Sequence, residues 1–169
     1  MIYRFIKSNR FRRILFLVDR TALGKQASDV FKEVKIEDLM TLDEIYNIKE
    51  LDEKEIDKET KIHIATVQSL VKRLIYSEDD TMPSVSDYDL IVVDEAHRGY
   101  TLDKELSDDE LLYRNQEDYI SKYRTVIEYF DAVKVALTAT PALHTTEIFG
   151  KPVFTYSYRE AVIDGYLVD

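Results

Sequence analysis

Two adjacent carboxylates, followed one residue later by an imidazole, stand directly behind an apolar run in IVVDEAHRG, residues 91–99. A strand ending on such a pair delivers Asp94 and Glu95 to the crevice outside the carboxyl ends of a sheet, where α/β proteins hold their ligands. Side chains alternate along a strand, so the two acids are expected to point differently and do different work. Asp94 offers the hard oxygen ligands that Mg2+ prefers, and Glu95 can orient or deprotonate a water aimed at a γ-phosphate. A blander reading is open: adjacent acids at a strand end often cap the following helix, and a lone histidine such as His97 is more often a hydrogen-bonding residue than a metal ligand. The D-E-x-H order also lacks the two histidines at i and i+4 that a zinc protease helix requires.

The second signal is Leu137-Thr138-Ala139-Thr140-Pro141, again directly behind an apolar run. Its two hydroxyls, followed by a proline that discourages helix continuation, can exchange hydrogen bonds with His97 and across the crevice. Plain turn chemistry is the competing account of the same residues.

These groups need strands to carry them. Ile14 to Val18 is continuously apolar, the pattern of a strand covered on both faces, and similar runs occupy residues 61–65, 89–93 and 133–137. Between them the period changes to that of a helix: Leu23, Ala27, Val30 and Phe31 share one face, Val67, Leu70, Val71, Leu74 and Ile75 another, and Tyr119, Tyr123, Val126, Ile127 and Phe130 a third. Alternating strands and helices predict a three-layer α/β fold with a mostly parallel sheet and right-handed crossovers. Residues 1–7 are expected to pack on that sheet as a helix through Ile2, Phe5 and Ile6, and PVFTYSY, residues 152–158, reads as strand-like.

The 169 residues fit one domain, with 45% hydrophobic residues sufficient for a core. The absence of cysteine excludes disulfides, a thiol nucleophile and thiolate metal sites. No run approaches the roughly 20 apolar residues of a membrane span, and the start fails as a signal peptide. With 23 bases against 33 acids, the net charge is -10. Residues 43–59, with eight acids and three bases, and residues 103–118, with seven and two, hold the excess. These two stretches read as solvated inserts or helix faces, and the acidic total argues against strong nonspecific nucleic-acid binding by this piece alone, without excluding a local contact surface.

VDEAH at 93–97 together with LTATP at 137–141 resembles motifs II and III of the first motor domain of superfamily 2 helicases and translocases. ILFLVDRTALGKQ at 14–26, IATVQSL at 64–70 and VALTATP at 135–141 narrow the resemblance to the R subunits of type I restriction enzymes, over nearly the whole chain. The resemblance implies a RecA-like lobe of a P-loop NTPase, using ATP and Mg2+ to move along double-stranded DNA in a cytoplasmic complex with modification and specificity subunits. It makes Asp94 the magnesium carboxylate, Glu95 the residue that positions the attacking water, and His97 with Thr138 and Thr140 the link between phosphate state and DNA grip. Asp19, Arg20 and Gln26, then Thr66, Gln68 and Ser69, become the DNA-facing residues. Arg98 is a lesser candidate for pairing with an acid or a phosphate.

One departure qualifies this picture. No G-x-x-x-x-G-K-[ST] loop occurs, and most of the β- and γ-phosphate cradle depends on that loop. Residues 1–169 are therefore expected to be a partial first motor lobe lacking its first strand and P-loop, cut from a longer chain and inert as an ATPase by itself. Rival readings are a metal-dependent hydrolase built on Asp94, His97 and His144, a noncatalytic DNA- or partner-binding module of the same fold, and another superfamily 2 DNA helicase.

Overall fold

Five successive apolar residues leave no side for water, and Ile14–Val18 is buried along its whole length as β1, the middle strand of a five-stranded sheet. A computed structural model describes residues 1–18, 21–37, 40–41, 48–50, 59–76, 82–97, 116–141 and 143–168. The helix α1 (Ile2–Lys7) precedes β1, and α2 (Thr21–Glu33) follows it. A small antiparallel pair, β2 (Lys35–Glu37) and β3 (Met40–Thr41), stands apart from the main sheet. Next come β4 (Ile48–Glu50), β5 (Ile62–Thr66), α3 (Val67–Ile75), β6 (Leu90–Val93), α4 (Gln116–Tyr129), β7 (Val133–Ala136), α5 (Leu143–Phe149) and α6 (Tyr158–Ile163). The sheet runs β4-β5-β1-β6-β7 with every pairing parallel. Val18 lies level with Thr66, and Leu17 with Val93, which in turn pairs Ala136, so four carboxyl ends meet at one edge.

Alternation splits the buried residues between the two faces. Leu15, Leu17, Ala65, Ile91 and Val93 pack under Leu70 and Val71 of α3 and under Tyr123, Val126 and Ile127 of α4, joined by Phe130. Ile14, Phe16, Val18, Ile62, Ile64, Leu90 and Val92 face the other way, against Ile2 and Ile6 of α1, with Phe5 and Phe31 at the margin. This is the expected three-layer sandwich. Burial of each large aliphatic side chain contributes roughly 1.5–3 kcal/mol, so the central strand is the best-anchored element. Thr66 starts α3 by accepting the Ser69 N–H at 3.2 Å, while the Ser69 hydroxyl donates back to the Thr66 carbonyl at 2.8 Å.

Several expectations need correction. On α2, Ser28 is buried and Phe31 packs against Phe16 in an edge-on contact, whereas Val30 is half exposed; the side chains of Leu23 and Ala27 lie outside those described. A serine can satisfy its hydroxyl on nearby backbone, so it turns inward where apolar periodicity alone selects valine. Residues 152–158 are not a strand: Val153, Phe154, Tyr156 and Tyr158 are all exposed, and no ladder partner for them exists among the described residues. The strand β7 is an edge, with Val133 and Leu137 exposed. Residues 48–50, inside the first acidic stretch, join the sheet as β4. The remainder of that stretch up to residue 58, and residues 103–115 of the second, lie outside the described residues.

Candidate functional site at the carboxyl edge of the sheet

The ladder extends one step beyond β6, where the Asp94 N–H donates to the Leu17 carbonyl at 2.9 Å. The chain then turns sharply, because Glu95 adopts φ 48°, the left-handed region that costs a non-glycine residue about 1–2 kcal/mol. Two backbone bonds anchor the turn: Leu137 N–H donates to the Val93 carbonyl at 2.8 Å, and Ala96 N–H to the Leu137 carbonyl at 2.9 Å. Ala96 is fully buried between them. The DEAH turn and the segment leaving β7 are thus laced together by main-chain bonds before any side chain is considered.

The side chains close the arrangement. The His97 Nδ1 lies 2.8 Å from the Thr138 hydroxyl and 3.3 Å from Glu95 Oε2. A bare ring nitrogen facing a carboxylate oxygen would set lone pair against lone pair, so the geometry favours the tautomer in which Nδ1–H is donated to both. The Thr138 oxygen also accepts the Thr140 N–H at 3.1 Å, which leaves its own proton free to be donated. Asp94 Oδ1 accepts the Glu95 N–H at 3.0 Å. Asp94 Oδ2 and Glu95 Oε1 have no hydrogen-bond partner among the described residues. Both acids are half exposed at the open edge.

Asp94, Glu95, His97, Thr138 and Thr140 therefore share one place. Thr66 ends β5, on the far side of β1 from β6 and roughly 10 Å away at ordinary strand spacing, with Gln68 and Ser69 in the first turn of α3. The Gln68 amide oxygen is buried and lacks a hydrogen-bond partner among the described residues. Gln26 is exposed on α2, and Asp19, Arg20 and Arg98 lie outside the described residues. His144 is on α5 beside Glu147 at 3.1 Å, and among the described residues no cluster of three or more His, Asp or Glu side chains could hold a metal.

The opposite edge holds polar pairs that the sequence reading did not single out. His63 and Tyr88, both buried, meet at 2.7 Å across β1 and stack edge-on. Burial drives the Tyr88 hydroxyl well above its ordinary pKa, with Asp87 adding to the effect. Asp89 accepts the Arg12 and Arg13 N–H groups at 2.7 and 3.0 Å. A histidine alternating with apolar residues in IHIAT was the one available signal.

Among known proteins, the endonuclease subunit of the type I restriction enzyme EcoKI of Escherichia coli strain K12 is 59% identical over the whole of this chain, which spans 14% of that subunit's length. The endonuclease subunit of the type I restriction enzyme EcoAI, also from Escherichia coli, is 31% identical over 99% of the chain, corresponding to 18% of its length. A crystal structure of the Pyrococcus furiosus Hef helicase domain superposes on 88% of this chain and 29% of its own, with a TM-score of 0.49 and 18% identity. No helix of the described residues is long and apolar enough to cross a membrane. The model of the family described as type III restriction enzyme, res subunit, matches residues 1–143, so the chain belongs to that family.

Proposed function

We propose that this chain is part of the ATP-driven DNA translocation motor of a type I restriction enzyme R subunit, with its DEAH turn and its TAT segment as the phosphate-sensing half of the site. The observation that carries this reading is the 2.8 Å contact between His97 and Thr138, which bridges the segments leaving two adjacent strands beside Glu95. In the larger protein the partners are double-stranded DNA and the modification and specificity subunits, in the cytoplasm.

The donor set fits Mg2+, which is commonly held by one or two carboxylates together with substrate phosphates. Asp94 would hold it through Oδ2, since Oδ1 already accepts a backbone N–H. Bound there, the ion supplies charge neutralisation for phosphate oxygens. Glu95 turns Oε2 toward His97 and keeps Oε1 for a water, as a residue that orients or deprotonates the nucleophile must. His97 holds the Glu95 carboxylate in that rotamer and passes its position to Thr138. A shift of the turn is thereby felt in the loop after β7. Thr66, Gln68 and Ser69 would meet the sugar-phosphate backbone of DNA at the start of α3; the Ser69 N–H and hydroxyl are already donated to Thr66, so the Thr66 hydroxyl proton and the other first-turn N–H groups would be the donors, without reading bases.

These 169 residues contain no Gly-Lys phosphate loop, so by themselves they are expected not to turn over ATP. The test therefore belongs in the complete polypeptide. Glu95→Gln is expected to keep Mg-ATP binding within a few fold while lowering DNA-stimulated turnover by about 10²- to 10⁴-fold. Unchanged turnover would remove Glu95 from the mechanism.

A further inference from the structure

The chain carries a net charge of -10, yet residues 1–18 contain five bases, Arg4, Lys7, Arg10, Arg12 and Arg13, and no acid. Four of these, Arg4, Lys7, Arg10 and Arg12, are exposed. The favourable end of a helix dipole accounts for Arg4 and Lys7 in the last turn of α1. It does not account for Arg10 and Arg12, which follow the helix. Among the described residues Arg10 meets no carboxylate, and Arg12 has only Asp89, 3.9 Å away, with its side chain 93% exposed. Arg13 is the exception: its guanidinium donates to the Thr60 and Asp87 carbonyls and belongs to the fold.

The backbone presenting Arg10 and Arg12 is rigidly built. Asn9 takes the left-handed conformation at φ 51°, its N–H donates to the Ile6 carbonyl at 2.9 Å, and the Arg10 N–H reaches back to Phe5 at 3.3 Å. That pair of bonds is the Schellman ending of a helix. Phe11 then stacks edge-on against Phe5 at 5.3 Å, and the Asp89 carboxylate clamps the next two N–H groups. The turn is fixed from both sides, with Arg10 and Arg12 standing outward around a half-buried phenylalanine.

We propose that this turn is a second, sequence-independent contact for the phosphate backbone of duplex DNA, separate from the carboxyl-edge site and resting on the DNA-dependent function inferred above. The guanidinium fork matches phosphate oxygens in pairs, and a preorganised turn loses little entropy on binding. The residues standing outward on the turn are two guanidinium groups, and Phe11, the one aromatic of residues 8–13, is half-buried against Phe5, so the chemistry fits a duplex backbone rather than unpaired bases. The turn lies at the amino end of β1, one strand length, roughly 16 Å, from the carboxyl edge. It can therefore hold DNA without touching the nucleotide side.

The experiment uses the complete polypeptide and a DNA duplex of about 30 base pairs lacking any target sequence, followed by fluorescence anisotropy across a salt series. The Arg10→Gln/Arg12→Gln variant is expected to bind about 10-fold more weakly near 0.1 M salt, and its plot of log affinity against log salt should be shallower by about 2. ATP turnover without DNA should match wild type. The Arg10→Lys/Arg12→Lys variant should keep the slope, which separates lost charge from lost folding. Affinity and slope within twofold of wild type would overturn the proposal, as would intact duplex binding accompanied by lost association with a protein partner. If wild type itself showed no DNA-stimulated ATP turnover, the functional reading would fall first. A wild type that is stimulated, with a Gln variant indistinguishable from it, would sink the second contact alone.

Discussion

Glu95 combines a left-handed backbone with the carboxylate proposed to position the attacking water, and these two properties separate under substitution. At φ 48° a glycine escapes the steric penalty that the glutamate bears. Glu95→Gly is therefore expected to leave the unfolding free energy unchanged or raise it by up to about 1 kcal/mol, while ATP turnover in the complete polypeptide is expected to collapse as for the glutamine variant. A loss of stability beyond about 1 kcal/mol in urea unfolding would show that the turn is not strained in this way. Thr138 gives the complementary case. Its hydroxyl accepts from His97 and from the Thr140 N–H, so Thr138→Ala together with Thr140→Ala should lower base pairs travelled per ATP more than ATP turnover itself. A normal step per ATP would assign the two threonines to turn structure only. The pairing of DEAH with TATP was legible from sequence because both stand directly behind apolar runs. The tautomer of His97 and the turn at Glu95 were not, since each depends on atoms from a strand about forty residues away.

Elements were readable where covering on both faces left a continuous apolar run. The strands β1 and β6 were found for that reason and β5 from a short, partly β-branched run, and their parallel pairing places the acids where a sheet of this kind presents ligands. Ile48–Glu50 was missed because three residues with two charges, set in an acidic stretch, carry no period, and only the neighbouring β5 makes them a strand. Residues 152–158 erred the other way: β-branched and aromatic composition predicts a strand, but composition cannot supply the ladder partner. The amino edge is held by polar bonds with no apolar signature. Asp89, with a third of its side chain exposed, joins the turn before β1 to β6 by accepting two N–H groups. Asp89→Ala leaves both donors without their carboxylate and is expected to destabilise by about 1–2 kcal/mol, read from the urea midpoint at constant m. A change under about 0.5 kcal/mol would mean that water replaces the carboxylate at little cost.

At the scale of the whole molecule, 33 acids against 23 bases make the folded chain repel itself at neutral pH. Raising ionic strength from about 0.01 M to 0.15 M shortens the screening length from about 30 Å to about 8 Å, so the melting temperature of the 169-residue chain should rise with NaCl at pH 7. Acidification acts in the same direction at first, because protonating surface carboxylates relieves the repulsion. A local term opposes it further down. The Glu160 carboxylate is held below its ordinary pKa by the Ser157 hydroxyl and N–H, which donate to it at 2.7 Å in the capping box of α6. A group lowered in the folded state stabilises fully above its unfolded value of 4.5, and that contribution is lost as the pH falls through the lower folded value. Net charge vanishes near the pI of about 4.8 and turns positive below it, so the melting temperature should pass through a maximum on the acid side of neutrality, with α6 losing amide protection before the sheet does. Its salt dependence should shrink as the maximum is approached. A melting temperature that fell with NaCl at pH 7 would show that specific ion pairs such as Lys122 with Asp118, at 2.7 Å, outweigh the general repulsion.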